Sequence, residues 1–272
     1  MNGKIVLITG GTSGIGRVTA RELKRMGATV VVVGRDPGRL DAVRQEVGAD
    51  TIRADLQLVG DARRAAEEFR GRYQRLHVLV NNAGALFGDR QVTREGLERT
   101  FALNHLAYFT LTGALLDVLR ASAPARVVSI SSEASRAGRI EFSDLQMERG
   151  YLGIRQYCNS KLMNLLFAFE LARRLRGSGV TSNAVHPGAI ASGFAMQGAG
   201  WYGLLTKLAR PFLIGEEKGA RTQIRAASDP ALESVTGKYL VRQRETKPPR
   251  AALDEAAARR LWEESERITL RI

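Results

Sequence analysis

The 272-residue sequence holds one cysteine, Cys158. An internal disulfide is therefore excluded, and a reducing, cytoplasmic compartment is expected. No apolar run approaches the roughly 20 residues of a bilayer-spanning helix. The longest, such as VVVV at 30–33, are the length of a strand. The N-terminus leads directly into KIVLITGG, a strand and turn, so neither a signal peptide nor a stable membrane anchor is expected. The three histidines, His77, His105 and His186, share no metal-ligand spacing, and no metal is expected. Lys and Arg number 41 against 28 acids, a formal net charge of +13. Yet no basic tract interleaved with stacking aromatics occurs. The bases are spread along helices and mixed with acids, as in RELKR and RRLWEESER. That distribution argues against a nucleic-acid partner and suits a solubilising surface or an anionic cofactor. Internal repeats and dividing linkers are also missing, so residues 1–272 read as one domain.

What the chain does hold is an alternation. KIVLIT (4–9), TVVVV (29–33), TIRA (51–54), HVLV (77–80), ARVVSI (125–130), VTSNAV (180–185) and KYLV (238–241) read as buried strands. Helical patterns lie near 15–26, 37–47, 59–73, 94–120, 155–177 and 251–266. Crossovers of this length join parallel strands. The expected fold is α/β, a doubly wound parallel sheet with helices on both faces.

TGGTSGIG (9–16) ends the first strand and opens the first helix. Gly10, Gly14 and Gly16 permit a tight turn, a close approach of backbone to a pyrophosphate, and close packing of helix on strand. The helix N-terminus then offers free N–H groups to the phosphates, and Thr12, Ser13 and Ile15 share the turn. This context makes the fold Rossmann-type, with the cofactor half at about 1–130. Where an NAD-selective site places an acid at the end of the second strand, this chain has Gly34, followed by Arg35. A guanidinium there, aided by Arg39, suits a 2′-phosphate, so NADP(H) is the expected cofactor and NAD(H) the alternative. Asp36 reads as the cap of the next helix, before Pro37. Asp55 with Leu56 is expected at the adenine edge. Asn82, Ala83 and Gly84 of NNAG (81–84) are expected to order the backbone beside the cofactor.

Tyr157 and Lys161, in YCNSK, stand one helical turn apart. A free phenol has a pKa near 10, so proton exchange near pH 7 needs a shift of roughly three units, or about 4 kcal/mol. A neighbouring ammonium acts in that direction. Cys158 and Asn159 lie on other helix faces, and Cys158 reads as core.

Taken together, the chain resembles the short-chain dehydrogenase/reductase family along essentially its whole length. The residues that carry this are TGGTSGIG, Asp55, NNAG, Asn104 in LNHLAYF, the serines of VVSISS (127–132), Tyr157 and Lys161, and HPG at 186–188. The resemblance implies Tyr157 as general acid/base and Lys161 as its partner and a ligand of the nicotinamide ribose. It implies Ser132 as holder of the substrate oxygen, because the family usually uses the second serine of such a pair; adjacent strand-end side chains point oppositely, so only one should face the site. Asn104 would anchor a water that links Lys161 to solvent. Pro187 and Gly188 would pass the nicotinamide, with Ile190 nearby. Ser192 stands where the family commonly has threonine, able to bond the carboxamide.

Between Ser132 and Tyr157 lie 24 residues (133–156), more than many members of the family have. RIEFSDLQMERGY (139–151), NHLAYFTLT (104–112) and TGKYL (236–240) resemble the retinol-dehydrogenase-like branch, here in a soluble, bacterial form. That branch implies an apolar carbonyl or alcohol substrate. Residues 193–215 then read as a substrate lid carrying Phe194, Met196, Trp201 and Tyr202, within a catalytic half of about 131–272. The surplus apolar residues of the helix at 155–177 suggest a homodimer. An NADP(H)-dependent oxidoreductase is the expected activity. The alternative is a catalytically silent NADP(H)-binding regulator, against which the intact Asn104, Ser132, Tyr157 and Lys161 set argues.

Overall fold

The computed structural model describes residues 1–188 and 215–272. One sheet organises them, in the spatial order β3-β2-β1-β4-β5-β6-β7-β8. Its strands are β1 (Ile5–Thr9), β2 (Thr29–Gly34), β3 (Asp50–Arg53), β4 (Val78–Asn81), β5 (Ala125–Ile130), β6 (Val180–His186), β7 (Tyr239–Val241) and β8 (Arg244–Glu245). All neighbours pair in parallel except β7 and β8, which form an antiparallel edge hairpin. The strand order reverses between β1 and β4. In such a sheet the crevice beyond the carboxyl ends at that point is where a ligand fits.

Helices cover both faces. They are α1 (Gly14–Arg25), α2 (Pro37–Val47), α3 (Val59–Arg72), α4 (Arg99–Phe101), α5 (Ala107–Ala114), α6 (Leu116–Ala121), α7 (Gly153–Arg174), α8 (Glu216–Ser228) and α9 (Glu255–Thr269). Strand residues alternate between two cores, as period-two geometry requires. Leu7, Val31 and Leu79 pack on the side of α3 and α5. Val6, Val30 and Val80 pack on the other side, with Leu23 and Leu40. The caps are local: the Asp36 carboxylate accepts from Arg39 N at 2.9 Å, Pro37 opens α2, and Gly48 closes it at φ 67°.

The pattern near 94–120 is not one helix. Residues 92–98 are held in a turn by a Val92–Glu98 bridge, with Gly96 at φ 78°. The buried Glu98 carboxylate then starts α4, accepting from the N–H groups of Thr100 and Phe101 at 2.8 Å each. A π turn at Ala102–Leu106 separates α4 from α5 and contains Asn104. Such widened turns gather at functional sites. The last helix begins later than its composition suggests, at Glu255, behind a 3₁₀ turn at Arg250–Leu253.

The helix α7 is consumed inside the chain: every residue from 158 to 172 is buried. The chain's own α9 lies against it, with Trp262 stacked on Phe167 at 5.9 Å and edge-on to Phe109 at 5.0 Å. Its surplus apolar side chains therefore serve intramolecular packing and leave no free stripe there for a second copy among the described residues. No helix among those residues is long and apolar enough to cross a membrane.

Candidate active site

A cavity of about 950 Å³ opens at the carboxyl ends of the strands. One end is the β1–α1 turn, where Gly10, Thr12, Ser13, Gly14, Ile15 and Gly16 all line the wall. Gly10 and Gly14 take φ of 65° and 57°, a region that disfavours other residues. At Gly16 the constraint is space: a Cβ would stand 2.4 Å from Gly10 O and 2.5 Å from Asn82 Nδ2. Asn82 ties this turn to β4. Its Nδ2 donates to Thr9 O at 2.8 Å and Gly10 O at 3.2 Å, and Thr9 Oγ1 accepts from the N–H groups of Asn82 and Ala83. The glycine loop is thus anchored by side chains from two adjacent strands.

Arg35 and Arg39 line the same cavity, both exposed at its rim. At the end of β2 a Cβ on Gly34 would lie 2.7 Å from Thr12 Cγ2 and 3.2 Å from Leu40 Cδ2. Packing therefore opposes any side chain, acidic or otherwise, at that position. Asp55 and Leu56 line the cavity at the end of β3. One Asp55 oxygen is already engaged, accepting from the main-chain N and Nε2 of Gln57 at 3.1 Å each.

Ser132, Tyr157, Lys161, Pro187 and Gly188 line the cavity wall beyond Ala83 and Gly84. Ser132 lies close enough to Tyr157 for its hydroxyl to favour the phenolate. Ser132 Oγ also accepts from Ala134 N at 3.2 Å as the cap of a 3₁₀ turn. Ser131 reaches the cavity too, but its hydroxyl donates to Lys161 O at 2.7 Å. The serine pair thus divides its work by hydrogen bonding, although both residues touch the cavity. Asn104 sits behind the wall, fully buried. Its Oδ1 accepts from Ala85 N at 2.8 Å and its Nδ2 donates to Ala85 O at 2.9 Å and Ser160 Oγ at 3.0 Å. It clamps the backbone that follows NNAG and joins it to α7. Ile190, Ser192, Phe194, Met196, Trp201 and Tyr202 lie outside the described residues, as does the lid at 193–215 save for Gly215.

The electrostatics depart from the simple ammonium–phenol picture. Burial pushes the Tyr157 phenol well above its ordinary value, and the nearby Ser132 hydroxyl offsets only part of this. Burial also pulls Lys161 down to about 7. Its Nζ stands 5.6 Å from the Tyr157 ring centre and donates to Ile130 O at 3.2 Å. In the protein alone, desolvation therefore outweighs the cation's pull on the phenol. Cys158 is buried, and burial raises its thiol as well.

The sequence reading missed several wall residues. Phe87, Leu103 and Ala85 give the cavity an apolar flank, and Glu216 brings an acid from the start of α8. The run ALFG (85–88) directly after NNAG was the available signal for Phe87.

Comparison with known proteins places the chain in a family. The family model for short chain dehydrogenase matches residues 4–202. The chain belongs to the short-chain dehydrogenase family. It is retinol-dehydrogenase-like: it is 42% identical over 268 residues to retinol dehydrogenase 12 of Bos taurus, covering 96% of this chain and 84% of that one. It is 38% identical to polyprenol dehydrogenase of Mus musculus, covering 98% and 84%. A solved structure from Mycobacterium paratuberculosis aligns with a TM-score of 0.82 at 33% identity, covering 98% of this chain and 94% of that one. Pseudomonas aeruginosa RhlG, solved with NADP, aligns at 0.72 and 28% identity, covering 89% and 95%. An oxidoreductase with a nicotinamide cofactor follows from this membership.

Proposed function

We propose that this short-chain dehydrogenase uses NADP(H) to interconvert a carbonyl and an alcohol on an apolar substrate, with Tyr157 as general acid/base. The observation that carries the reading is the convergence of Tyr157, Ser132 and Lys161 on one wall of a cavity whose other end is the glycine turn. The residues fit the cofactor. Gly10 and Gly16 leave the backbone bare, and the α1 N-terminus supplies N–H groups for the pyrophosphate. Asp55 and Leu56 would hold the adenine, and Pro187 and Gly188 the nicotinamide. Gly34 carries no acid, and Arg35 and Arg39 offer planar donors to a 2′-phosphate. Bound there, the cofactor supplies or takes the hydride.

The chain's own residues handle the oxygen and its proton. Ser132 donates a hydrogen bond to the substrate oxygen and holds it against Tyr157. The phenol holds its proton at neutral pH, as any phenol with a pKa of 10 or above does, and gives it to the far more basic alkoxide as negative charge develops on that oxygen. Lys161 would bond the ribose hydroxyls from α7, and Asn104 holds the Ala85 backbone so that Gly84 stays beside the amine. Phe87 and Leu103 on the cavity wall suit an apolar substrate. The names of the retinol and polyprenol dehydrogenases agree with that class. A soluble cytoplasmic enzyme accords with the single buried cysteine.

The test is Tyr157→Phe. Turnover across a panel of aldehydes, ketones and alcohols should fall by roughly 10²–10⁴-fold, while NADPH affinity stays within about twofold. Near-native turnover in that variant would refute the assignment.

A further inference from the structure

Asn164 stands three residues after Lys161 on α7 and is fully buried. Its Nδ2 donates to the main-chain carbonyl of Ile130 at 3.0 Å. Lys161 Nζ donates to the same oxygen at 3.2 Å. A carbonyl oxygen has two lone pairs, so these two donors fill it. Among the described residues, Ile130 O is the hydrogen-bond acceptor that Lys161 has. Its Nζ also lies 3.4 Å from where a Cβ on Gly84 would stand, at the wall of the cavity.

His105 supports the amide from the other side. It lies in the π turn beside Asn104, and its Nε2 meets Ser265 Oγ of α9 at 2.8 Å. The Asn164 side chain is close enough to favour the ring's proton, although His105 Nδ1 and Asn164 Oδ1 both fall short of a full hydrogen bond. Buried polar groups arranged this way hold orientation as well as stability.

We propose that Asn164 is a positioning residue for Lys161: by occupying one acceptor direction of the Ile130 carbonyl, it keeps the amine at the cavity wall. Without that donor the buried amine draws back onto the strand end, where an uncontested acceptor satisfies it. The inference rests on the role given above to Lys161. It adds that a residue touching neither cofactor nor substrate sets how far the lysine reaches.

The experiment is a double-mutant cycle with Asn164→Leu, Lys161→Ala and the pair. Leucine matches the length of asparagine and removes the donor. NADPH affinity is read from nicotinamide fluorescence, turnover from nicotinamide absorbance, and folding from a thermal melt. Asn164→Leu is expected to weaken NADPH binding about tenfold, the worth of one hydrogen bond to a charged group, and to lower kcat. With Lys161→Ala already present, the same change should alter either quantity by less than about twofold. Should Asn164→Leu not fold, Asn164→Ser takes its place in the cycle with the same non-additivity expected. An equal loss in both backgrounds, or no loss in the single variant, overturns the role of Asn164 alone. A Lys161→Ala protein that binds and turns over normally overturns the role of Lys161 and this inference together.

Discussion

Replacing Gly34 by aspartate separates two effects that the cavity couples. The first is steric. The new Cβ would stand 2.7 Å from Thr12 Cγ2 and 3.2 Å from Leu40 Cδ2, where ordinary carbon contacts are roughly 3.5–4.0 Å. Overpacking of this kind costs roughly 1–3 kcal/mol, which lowers the melting temperature of a chain this size by roughly 2–10 °C. Thr12→Ser deletes the opposing methyl, so the double variant should recover most of that loss. The second effect is electrostatic. A carboxylate at contact distance from a phosphate charge costs about 1 kcal/mol in water-like surroundings. The rim is exposed and a 2′-phosphate carries nearly two charges. The penalty is then about 2 kcal/mol, or roughly 30-fold in NADPH affinity. NADH, which lacks that phosphate, escapes it and gains an acceptor for its ribose hydroxyl. The assay is a melt of Gly34→Asp, Thr12→Ser and the pair, with kcat/KM for NADPH and NADH. An unchanged melt in Gly34→Asp would refute the packing argument. A double variant that keeps its NADPH preference would show that no 2′-phosphate lies beside Gly34.

Two further outcomes concern the scaffold. Trp262→Ala removes the ring that joins α9 to Phe167 and Phe109 and carries the Arg174 guanidinium at 4.4 Å; denaturant unfolding should show a loss of about 3 kcal/mol, and a loss under about 1 kcal/mol would mean that α9 is held elsewhere. Burial lowers His105 from its ordinary 6.5 to about 3, so between those values the unfolded chain takes up a proton that the folded chain refuses. Stability from this group is therefore complete above pH 6.5 and declines as pH falls toward 3, by on the order of 5 kcal/mol. His105→Gln keeps a donor toward Ser265 and removes the titration; its stability should fall less steeply over that range, and parallel pH profiles for the two proteins would contradict the buried neutral ring.

Most of the sheet was legible because its strands are short apolar runs bounded by Gly, Asn and Asp, and a parallel strand is buried on both faces. The glycine turn was legible for a similar reason: bare backbone is needed at fixed places, and glycine alone supplies it. Interrupted elements were not legible. Nothing in the local pattern at 94–120 announces that a π turn widens around Asn104, because the partners of Asn104 are Ala85 and Ser160. The same holds for the extra apolar residues of α7, whose intramolecular partners lie on α9, far along the chain.

The sequence by itself determined the order of the first seven strands, the bare backbone at Gly10, Gly16 and Gly34, and the one-turn spacing of Tyr157 and Lys161. These depend on properties that a residue carries wherever it stands. Only the tertiary structure decided the ionisation of that pair, the steric veto at Gly34, and the acceptor that Asn164 shares with Lys161. Each of these depends on burial and on contacts between residues distant along the chain, and neither is encoded in any one stretch.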